Sequence, residues 1–180
     1  MKKRLLFVFL IAMIILPIGL NVKASESNKS ENVEITVIDK KIPARGFFIN
    51  PSDVIGNNSR STSIPTAYWN LSSSNYYGNL VEVRASWLYT NYYFYPNSSG
   101  KLYLDYYITP INSPGTKMYI AVYDITTSST VTTYTSAGSP TGSCIQVSGL
   151  NTSHKYAFAF KAVRDPWAYN GVQGTITVYH

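Results

Sequence analysis

The sequence predicts an all-β protein, a sandwich of two antiparallel sheets, from Thr66 to the last residue. Several segments alternate apolar and polar residues with a period of two, as half-buried strands do. Loop-forming residues separate these segments at the spacing typical of a sandwich or barrel. The composition agrees, because the chain is rich in strand-forming residues, with 16 tyrosines in 180 residues. No segment after residue 24 shows the 3.6-residue period of a helix.

Five segments carry the strand pattern, and each offers the residues of one parity to a core. They are Val81–Trp87, Leu102–Ile108, Met118–Val122, Tyr156–Phe160 and Ile176–Val178. Between them lie runs rich in Pro, Gly, Asn, Ser and Thr, at 96–100, 110–115, 127–130, 136–142 and 165–166, which predict turns and loops. The run 92–95 (YYFY) has aromatic residues at both parities, and we expect a strand there rather than a loop tip.

The first 24 residues have the three parts of a secretory signal peptide. Basic residues 2–4 precede an apolar run from Leu5 to Leu20, and Val22 and Ala24 are the small residues that a signal peptidase recognises. We expect cleavage after Ala24 and no membrane span after cleavage. An uncleaved membrane anchor is the alternative, because the apolar run is only slightly shorter than a membrane span.

The segment 25–65 has the composition of a flexible arm or pro-segment in front of a sandwich domain at 66–180. Residues 25–32 are small, polar and charged, which disfavours a packed structure. Val33–Ile42 (VEITVIDKKI) can form one strand. An edge strand that docks on the domain is therefore the alternative to a free arm.

The charge of the chain argues against one class of partner. Four of the 15 Lys and Arg residues and none of the nine acids lie in residues 1–24, so cleavage lowers the net charge from +6 to +2. The remaining sequence contains no basic run and no Lys/Arg stripe between its aromatic residues. Nucleic acid is therefore not an expected partner.

Cys144 is the only cysteine, so no intramolecular disulfide holds the fold. It opens the apolar stretch 144–147, which predicts a buried, unreactive thiol; a free thiol available for pairing is the alternative. Stability must then come from a hydrophobic core, for which the chain after residue 24 is long enough.

Residues 145–163 resemble the corner between the fifth and sixth strands of fibronectin type III domains. Leu150 stands six residues before Tyr156, as in the tyrosine corner of that family. The resemblance implies that Leu150 packs into the core and that the Tyr156 hydroxyl bonds to upstream backbone. It favours an immunoglobulin- or fibronectin-III-like sandwich, with a jelly-roll-like one as the alternative. It covers about the last forty residues, and the Tyr-rich run 87–95 has no counterpart in that family.

The chain as a whole also resembles small secreted Gram-positive β-sandwich proteins of unassigned function. It shares with them a short signal peptide and a sandwich rich in Ser, Asn and Tyr. Such a resemblance implies a fold and not an activity.

The tyrosines are the candidate binding residues. Trp87, Tyr89 and Tyr106 share a parity with apolar neighbours, so we expect them to point inward. Four others have the opposite parity and predict an outward, flat aromatic surface: Tyr103, Tyr107, Tyr119 and Tyr123. Such a surface can stack on sugar rings or on a protein while its hydroxyls form hydrogen bonds. Plain sheet packing is the alternative, because tyrosine is a common strand residue.

Residues for catalysis are scarce. The only histidines, His154 and His180, lack metal-ligand spacing to a second ligand, so neither a metal site nor a cofactor is expected. A glycosidase needs two carboxylates close together, and a lone Asp105 beside Tyr103 and Tyr107 does not supply them. We expect Asp105 to form a surface salt bridge with Lys101 or Lys117.

These observations predict a secreted, non-catalytic β-sandwich that recognises a glycan, cell-wall or protein ligand outside the cell. The alternatives are a toxin or antimicrobial-type effector that acts at membranes, and a hydrolase with a minimal site. The sequence leaves the identity of the ligand and the oligomeric state open.

Overall fold

The computed structural model describes residues 32–38, 61–163 and 170–180. This part of the chain contains eleven strands and no helix, and therefore no helix that could cross a membrane. In chain order the strands are β1 (Glu34–Ile38), β2 (Ala67–Tyr68), β3 (Tyr76–Val83), β4 (Leu88–Tyr89), β5 (Tyr92–Tyr93), β6 (Leu102–Pro110), β7 (Met118–Asp124), β8 (Ser129–Thr135), β9 (Thr141–Ser148), β10 (Tyr156–Ala162) and β11 (Val172–Tyr179). The signal peptide, most of the segment 25–65 and the predicted turn at 165–166 lie outside the described residues.

The strands form two antiparallel sheets that face each other, which confirms the predicted all-β sandwich. Sheet A has five strands in the order β1-β9-β6-β11-β3, and sheet B has four in the order β4-β10-β7-β8. A separate pair, β2 and β5, is parallel. Strand β1 falls within the segment 33–42 and pairs with β9 at the edge of sheet A.

The core lies between the inner faces of the two sheets and consists of the residues that the period of two predicts. On β6 these are Leu102, Leu104, Tyr106 and Ile108, all buried, and on β7 and β10 they are Met118, Ile120, Val122, Tyr156, Phe158 and Phe160. Tyr106 of sheet A meets Tyr134 of sheet B with ring centroids 6.4 Å apart. Apolar side chains from both sheets thus leave water together, and this burial is the main stabilising contribution to the fold.

The predicted strand at 81–87 is wrong, because a bulge interrupts it. Strand β3 ends at Val83, and two of its residues, Val81 and Glu82, lie opposite one residue of β11. Glu82 has a φ of 57°, so the alternation shifts by one residue and Val81 is 60 % exposed. Ala85, expected to point inward, is exposed.

Strand β8, like β9, is not among the five segments with the strand pattern, and it begins inside the predicted loop at 127–130. Its residues, STVTTYT, are mostly threonine and lack a clear apolar parity. The strand forms because it completes the edge of sheet B beside β7, where β-branched threonines pack well on a pleated surface. An edge position needs less apolar surface than the centre of a sheet.

Buried tyrosine hydroxyls make the fold sensitive to alkali. Burial raises the pKa of Tyr76 to about 12, and burial together with a hydrogen bond to Tyr134 also raises the pKa of Tyr106. In the unfolded chain both phenols ionise near their ordinary pKa of 10.0. The folded state therefore retains protons that the unfolded state loses, so the contribution of these two tyrosines to stability is constant below pH 10 and falls above it.

We expect Tyr76 alone to remove about 2 kcal/mol of the free energy of unfolding between pH 10 and 12. Urea unfolding at pH 9, 11 and 12 measures this loss. Tyr76→Phe should flatten the pH dependence, whereas Tyr77→Phe, at an exposed neighbour, should leave it unchanged. Equal behaviour of the two variants would contradict the prediction.

Candidate functional site

The four outward tyrosines do not form one surface. All four point away from the core, but Tyr103 and Tyr107 lie on β6 of sheet A, whereas Tyr119 and Tyr123 lie on β7 of sheet B. The predicted single aromatic surface is wrong in this respect. Side-chain parity distinguishes inside from outside, and because β6 and β7 belong to different sheets their outward residues lie on opposite sides of the sandwich.

The outer face of sheet B carries the larger aromatic group, and it includes residues that were expected in the core. Tyr89 lies opposite Ala159 of β10, and Leu88 lies opposite the core residue Phe160. Tyr89 and Trp87 therefore point outward, contrary to the prediction. The bulge in β3 and the passage of the chain from sheet A to sheet B change the parity between Val83 and Leu88.

Small residues of β10 and β7 form the floor of this face. Ala159 lies opposite Ala121, and Ala157 lies opposite Tyr123. The three alanines are at most 2 % exposed. Because alanine has no side chain beyond Cβ, aromatic rings on neighbouring strands can lie over the backbone of β10.

Two ring pairs meet over β10. Tyr89 and Tyr123 project from strands on either side of β10, and their ring centroids are 5.6 Å apart with an interplanar angle of 77°. Trp87 and Tyr119 are 6.5 Å apart at 41°. Since β4 and β7 are separated by two strand spacings, about 10 Å, both pairs must lean inward over β10. Burial raises the pKa of Tyr89, and the neighbouring Tyr123 raises it further.

A lysine stands at each end of the floor. Lys161 pairs with Tyr119, and its Nζ lies 5.7 Å from the centroid of Trp87. At the other end, Lys155 Nζ lies 5.1 Å from the centroid of Tyr93. These cation–π contacts hold each ammonium group against the aromatic surface. The sequence showed no run of lysines between aromatics, and the fold assembles this pattern from residues 155–161 and the stretch 87–93.

We call this surface the aromatic face and define it by Trp87, Tyr89, Tyr93, Tyr119, Tyr123, Lys155 and Lys161 over the alanines 121, 157 and 159. All seven of the larger side chains are half-buried. At its Tyr93 end the face continues into Tyr68 and Tyr95, whose ring centroids lie 5.6 and 5.8 Å from that of Tyr93. The signal in the sequence was the run YAFAF, in which outward alanines alternate with large inward residues.

The outer face of sheet A differs, because its aromatic side chains surround polar partners. Tyr103 stacks on Tyr179 with centroids 5.3 Å apart and planes 10° apart. The Tyr179 hydroxyl donates to Asp105 Oδ1 at 3.0 Å and lies 3.1 Å from Cys144 Sγ. Burial, then the hydrogen bond to Cys144 and the nearby Asp105, raise the pKa of Tyr179.

This arrangement corrects the expectation for Asp105. The carboxylate forms no salt bridge with Lys101 or Lys117, all of which are described, and it accepts the Tyr179 hydroxyl instead. Cys144 is 2 % exposed, which confirms its predicted burial, although it lies opposite Asp105 on the outward side of the sheet. Tyr107, at 39 % exposed, stands apart from this group.

A buried acid joins two turns at one end of sheet B. Asp124 Oδ1 accepts the backbone N–H groups of Thr126 and Thr127 at 2.8 and 3.2 Å, and its Oδ2 lies 2.8 Å from Nδ1 of His154. The carboxylate side chain is 4 % exposed. It therefore closes the turn after β7 and fixes the loop before β10.

At the corner before β10, Leu150 and Tyr156 make the contacts expected of them from the sequence. Leu150 is 3 % exposed and belongs to the core cluster. The Tyr156 hydroxyl accepts a hydrogen bond from the backbone N–H of Asn151 at 3.0 Å. Across residues 32–38, 61–163 and 170–180, no three His, Cys, Asp or Glu side chains gather where they could hold a metal ion.

Comparison with protein-family models and with curated proteins finds no match to this chain. The side chains of the two outer faces therefore carry the functional argument. Of the two, the aromatic face of sheet B offers several half-buried rings on adjoining strands, whereas sheet A uses Tyr103 and Tyr179 to cover polar groups.

Proposed function

We propose that this protein is a secreted, non-catalytic binding protein that recognises a glycan outside the cell through the aromatic face of sheet B. One observation supports this most: rings from two flanking strands meet over a floor of alanines. The C–H groups of a sugar ring make good contact with aromatic faces, and tyrosine and tryptophan also supply hydrogen-bonding groups at their rims.

The rigidity of the face supports binding without large entropic loss. Its residues stand on paired strands, and ring–ring contacts restrict Trp87, Tyr89, Tyr119 and Tyr123 before any ligand arrives. Aromatic side chains with few rotatable bonds lose little freedom on binding. Preorganised rings in one surface therefore favour a ligand that is itself extended and repetitive, as a polysaccharide chain is.

The acids of the described residues support binding rather than hydrolysis. Asp105 is hydrogen bonded to Tyr179 on sheet A, and Asp124 is buried beside His154 at the end of β7. Neither acid lies on the aromatic face, where a glycan would be held. A glycosidase needs two carboxyl groups on either side of one bond.

Retention on insoluble polysaccharides and on isolated cell walls tests this proposal. We expect Trp87→Ala combined with Tyr123→Ala to weaken retention at least about tenfold, because each ring contributes on the order of 1 kcal/mol beyond its buried area. Tyr103→Ala combined with Tyr107→Ala is the matched control on sheet A and should retain wild-type binding.

A folding control and three binding results determine whether the proposal stands. Urea denaturation of both double variants must show an unfolding transition, which demonstrates that each variant is folded before urea is added. If the sheet B variant binds as well as the wild type, or if only the sheet A variant loses binding, the aromatic face is not the binding surface. If the wild type is retained by none of the polysaccharides or cell walls, the glycan proposal itself fails.

A further inference from the structure

We propose that the aromatic face is selective for acidic polysaccharides, whose carboxylates bind Lys155 and Lys161 while the sugar rings lie on the aromatic side chains between them. This inference rests on the proposed function and adds the chemical class of the glycan. It is carried by the placement of the two lysines, one at each end of the alanine floor.

The spacing of the lysines fits a chain of sugars rather than one sugar. Lys155 immediately precedes β10 and Lys161 lies near its end, six residues further on, so their Cα atoms are about 20 Å apart at roughly 3.3 Å per residue. The outward residues between them on this strand are Ala157 and Ala159. No long side chain of β10 therefore rises between the two ammonium groups.

Among the described residues, the charges assigned to this side of the sandwich have one sign. The described acids are Glu34 and Glu82 near the ends of sheet A strands, Asp105 on the outer face of sheet A, and the buried Asp124. No acid among the described residues forms a salt bridge with Lys155 or Lys161. Lys117, exposed just before β7, adds a third positive charge near the Lys161 end of β10, where its carbonyl oxygen accepts the N–H of Val163.

Cation–π contacts hold the two ammonium groups at the surface where the ligand would bind. Each of the two ammonium groups lies within 6 Å of a ring centroid, at 5.1 and 5.7 Å. An ammonium group held there stays at the level of the aromatic surface and does not extend freely into water. A polysaccharide stacked on the rings would bring its ring carboxylates to that same level.

The small number of charges favours an acidic glycan over nucleic acid. Nucleic-acid surfaces neutralise a continuous row of phosphates, which requires many basic groups along a track. The aromatic face has lysines at two points with aromatic and alanine residues between them. Its binding energy must come mostly from stacking, with the charges selecting among sugars that stack equally well.

The test compares pairs of polymers that differ only in charge. Polygalacturonate and hyaluronate are each measured beside a derivative whose carboxyl groups are methyl-esterified, by affinity electrophoresis of the full chain at 0.05 and 0.5 M NaCl. We expect binding of at least one acidic polymer, about tenfold weaker binding of its ester, and weakening by the higher salt.

Two lysine variants complete the test. Lys155→Gln with Lys161→Gln should weaken binding of the acidic polymer up to about tenfold while leaving binding of its ester unchanged. Lys101→Gln, on sheet A, is the control that should change neither. Equal binding of the acidic polymers and their esters, or insensitivity to the paired lysine variant, overturns this inference and leaves the proposed glycan function intact.

The remaining outcomes also decide. If single-stranded poly(dT) displaces the acidic polymer at lower concentration than free polygalacturonate does, the charged ligand is nucleic acid and the inference is wrong. If the acidic polymers do not bind but a neutral polysaccharide does, the selectivity is wrong. If no polysaccharide binds, the proposed function fails with it.

Discussion

Replacing Gly174 by alanine should destabilise the protein by about 3 kcal/mol or prevent it from folding, the upper part of the range for an overpacked interior. Gly174 lies in β11, an interior strand of sheet A, opposite Ile108 of β6 and Leu80 of β3. A Cβ there would collide with the backbone carbonyl oxygen of Tyr107 and lie 2.9 Å from Ile108 Cα. Both are backbone atoms, so relief requires the strands to separate.

The same residue marks the bulge that gives sheet A its shape. The register between β11 and β3 shifts between Val172 and Gly174, where β3 contains its extra residue. A side chain at 174 would therefore strain the pairing of β11 on both sides. The expected loss exceeds the cost of any single surface change because it affects hydrogen bonds in two ladders.

Gly115→Ala is the matched control for this prediction. Gly115 has a φ of 79° but no atom within 4 Å of the position of an added Cβ, so its substitution costs only the left-handed backbone strain, about 1 kcal/mol. Urea denaturation of the two variants measures the difference. If Gly174→Ala loses no more stability than Gly115→Ala, the close approach of β6 to β11 is not a constraint on this sheet.

The sequence was sufficient to predict the fold class and most of the core because the alternation of apolar and polar residues within a strand shows which side of it is buried. Leu102 to Ile108 and Met118 to Val122 alternate as expected, and the alternate residues are buried. This information is local: each segment shows which of its residues face inward without reference to any other segment. Composition and turn residues then suffice to indicate a sandwich.

The sheet to which each strand belongs could not be predicted, because strands of both sheets show the same alternation of inward and outward residues. Tyr107 and Tyr119 are both outward, yet they lie on different sheets. The bulge at Glu82 was equally hidden, since a left-handed φ at a glutamate has no local signature and depends on pairing with β11. The bulge, together with the passage of the chain from sheet A to sheet B, moves Trp87 and Tyr89 from an expected core position to the candidate site.

The aromatic face shows what long-range pairing adds. Its rings come from the stretch 87–93 and from β7, and its floor comes from β10, about 35 to 70 residues away along the chain. The alanines of β10 were visible in the sequence, but which side chains lie over a small outward residue can be determined only when the neighbouring strands are known. Sequence reasoning therefore found the main residue type of the proposed binding face and some of its positions, but not the surface.

Replacing Asp124 by alanine should cost about 3 kcal/mol, because it leaves two backbone N–H groups and one imidazole without their acceptor. Those partners are Thr126, Thr127 and His154, and the carboxylate is almost completely buried. Asp124→Asn keeps one carbonyl oxygen for the two N–H groups and should lose about half as much. Thermal or urea unfolding of both variants measures these losses.

A double-mutant cycle with His154→Ala separates the two functions of the carboxylate. His154 has a side chain that is 26 % exposed, so its own removal should cost about 1 kcal/mol and its coupling to Asp124 should account for most of that. Binding to polysaccharides should stay at the wild-type level in the folded His154→Ala variant, because the His154 side chain lies outside the aromatic face. Loss of binding in a folded His154→Ala variant would place this end of the sheet in the recognition surface. If Asp124→Ala loses no more stability than His154→Ala, the turn after β7 does not depend on the two N–H bonds to Asp124.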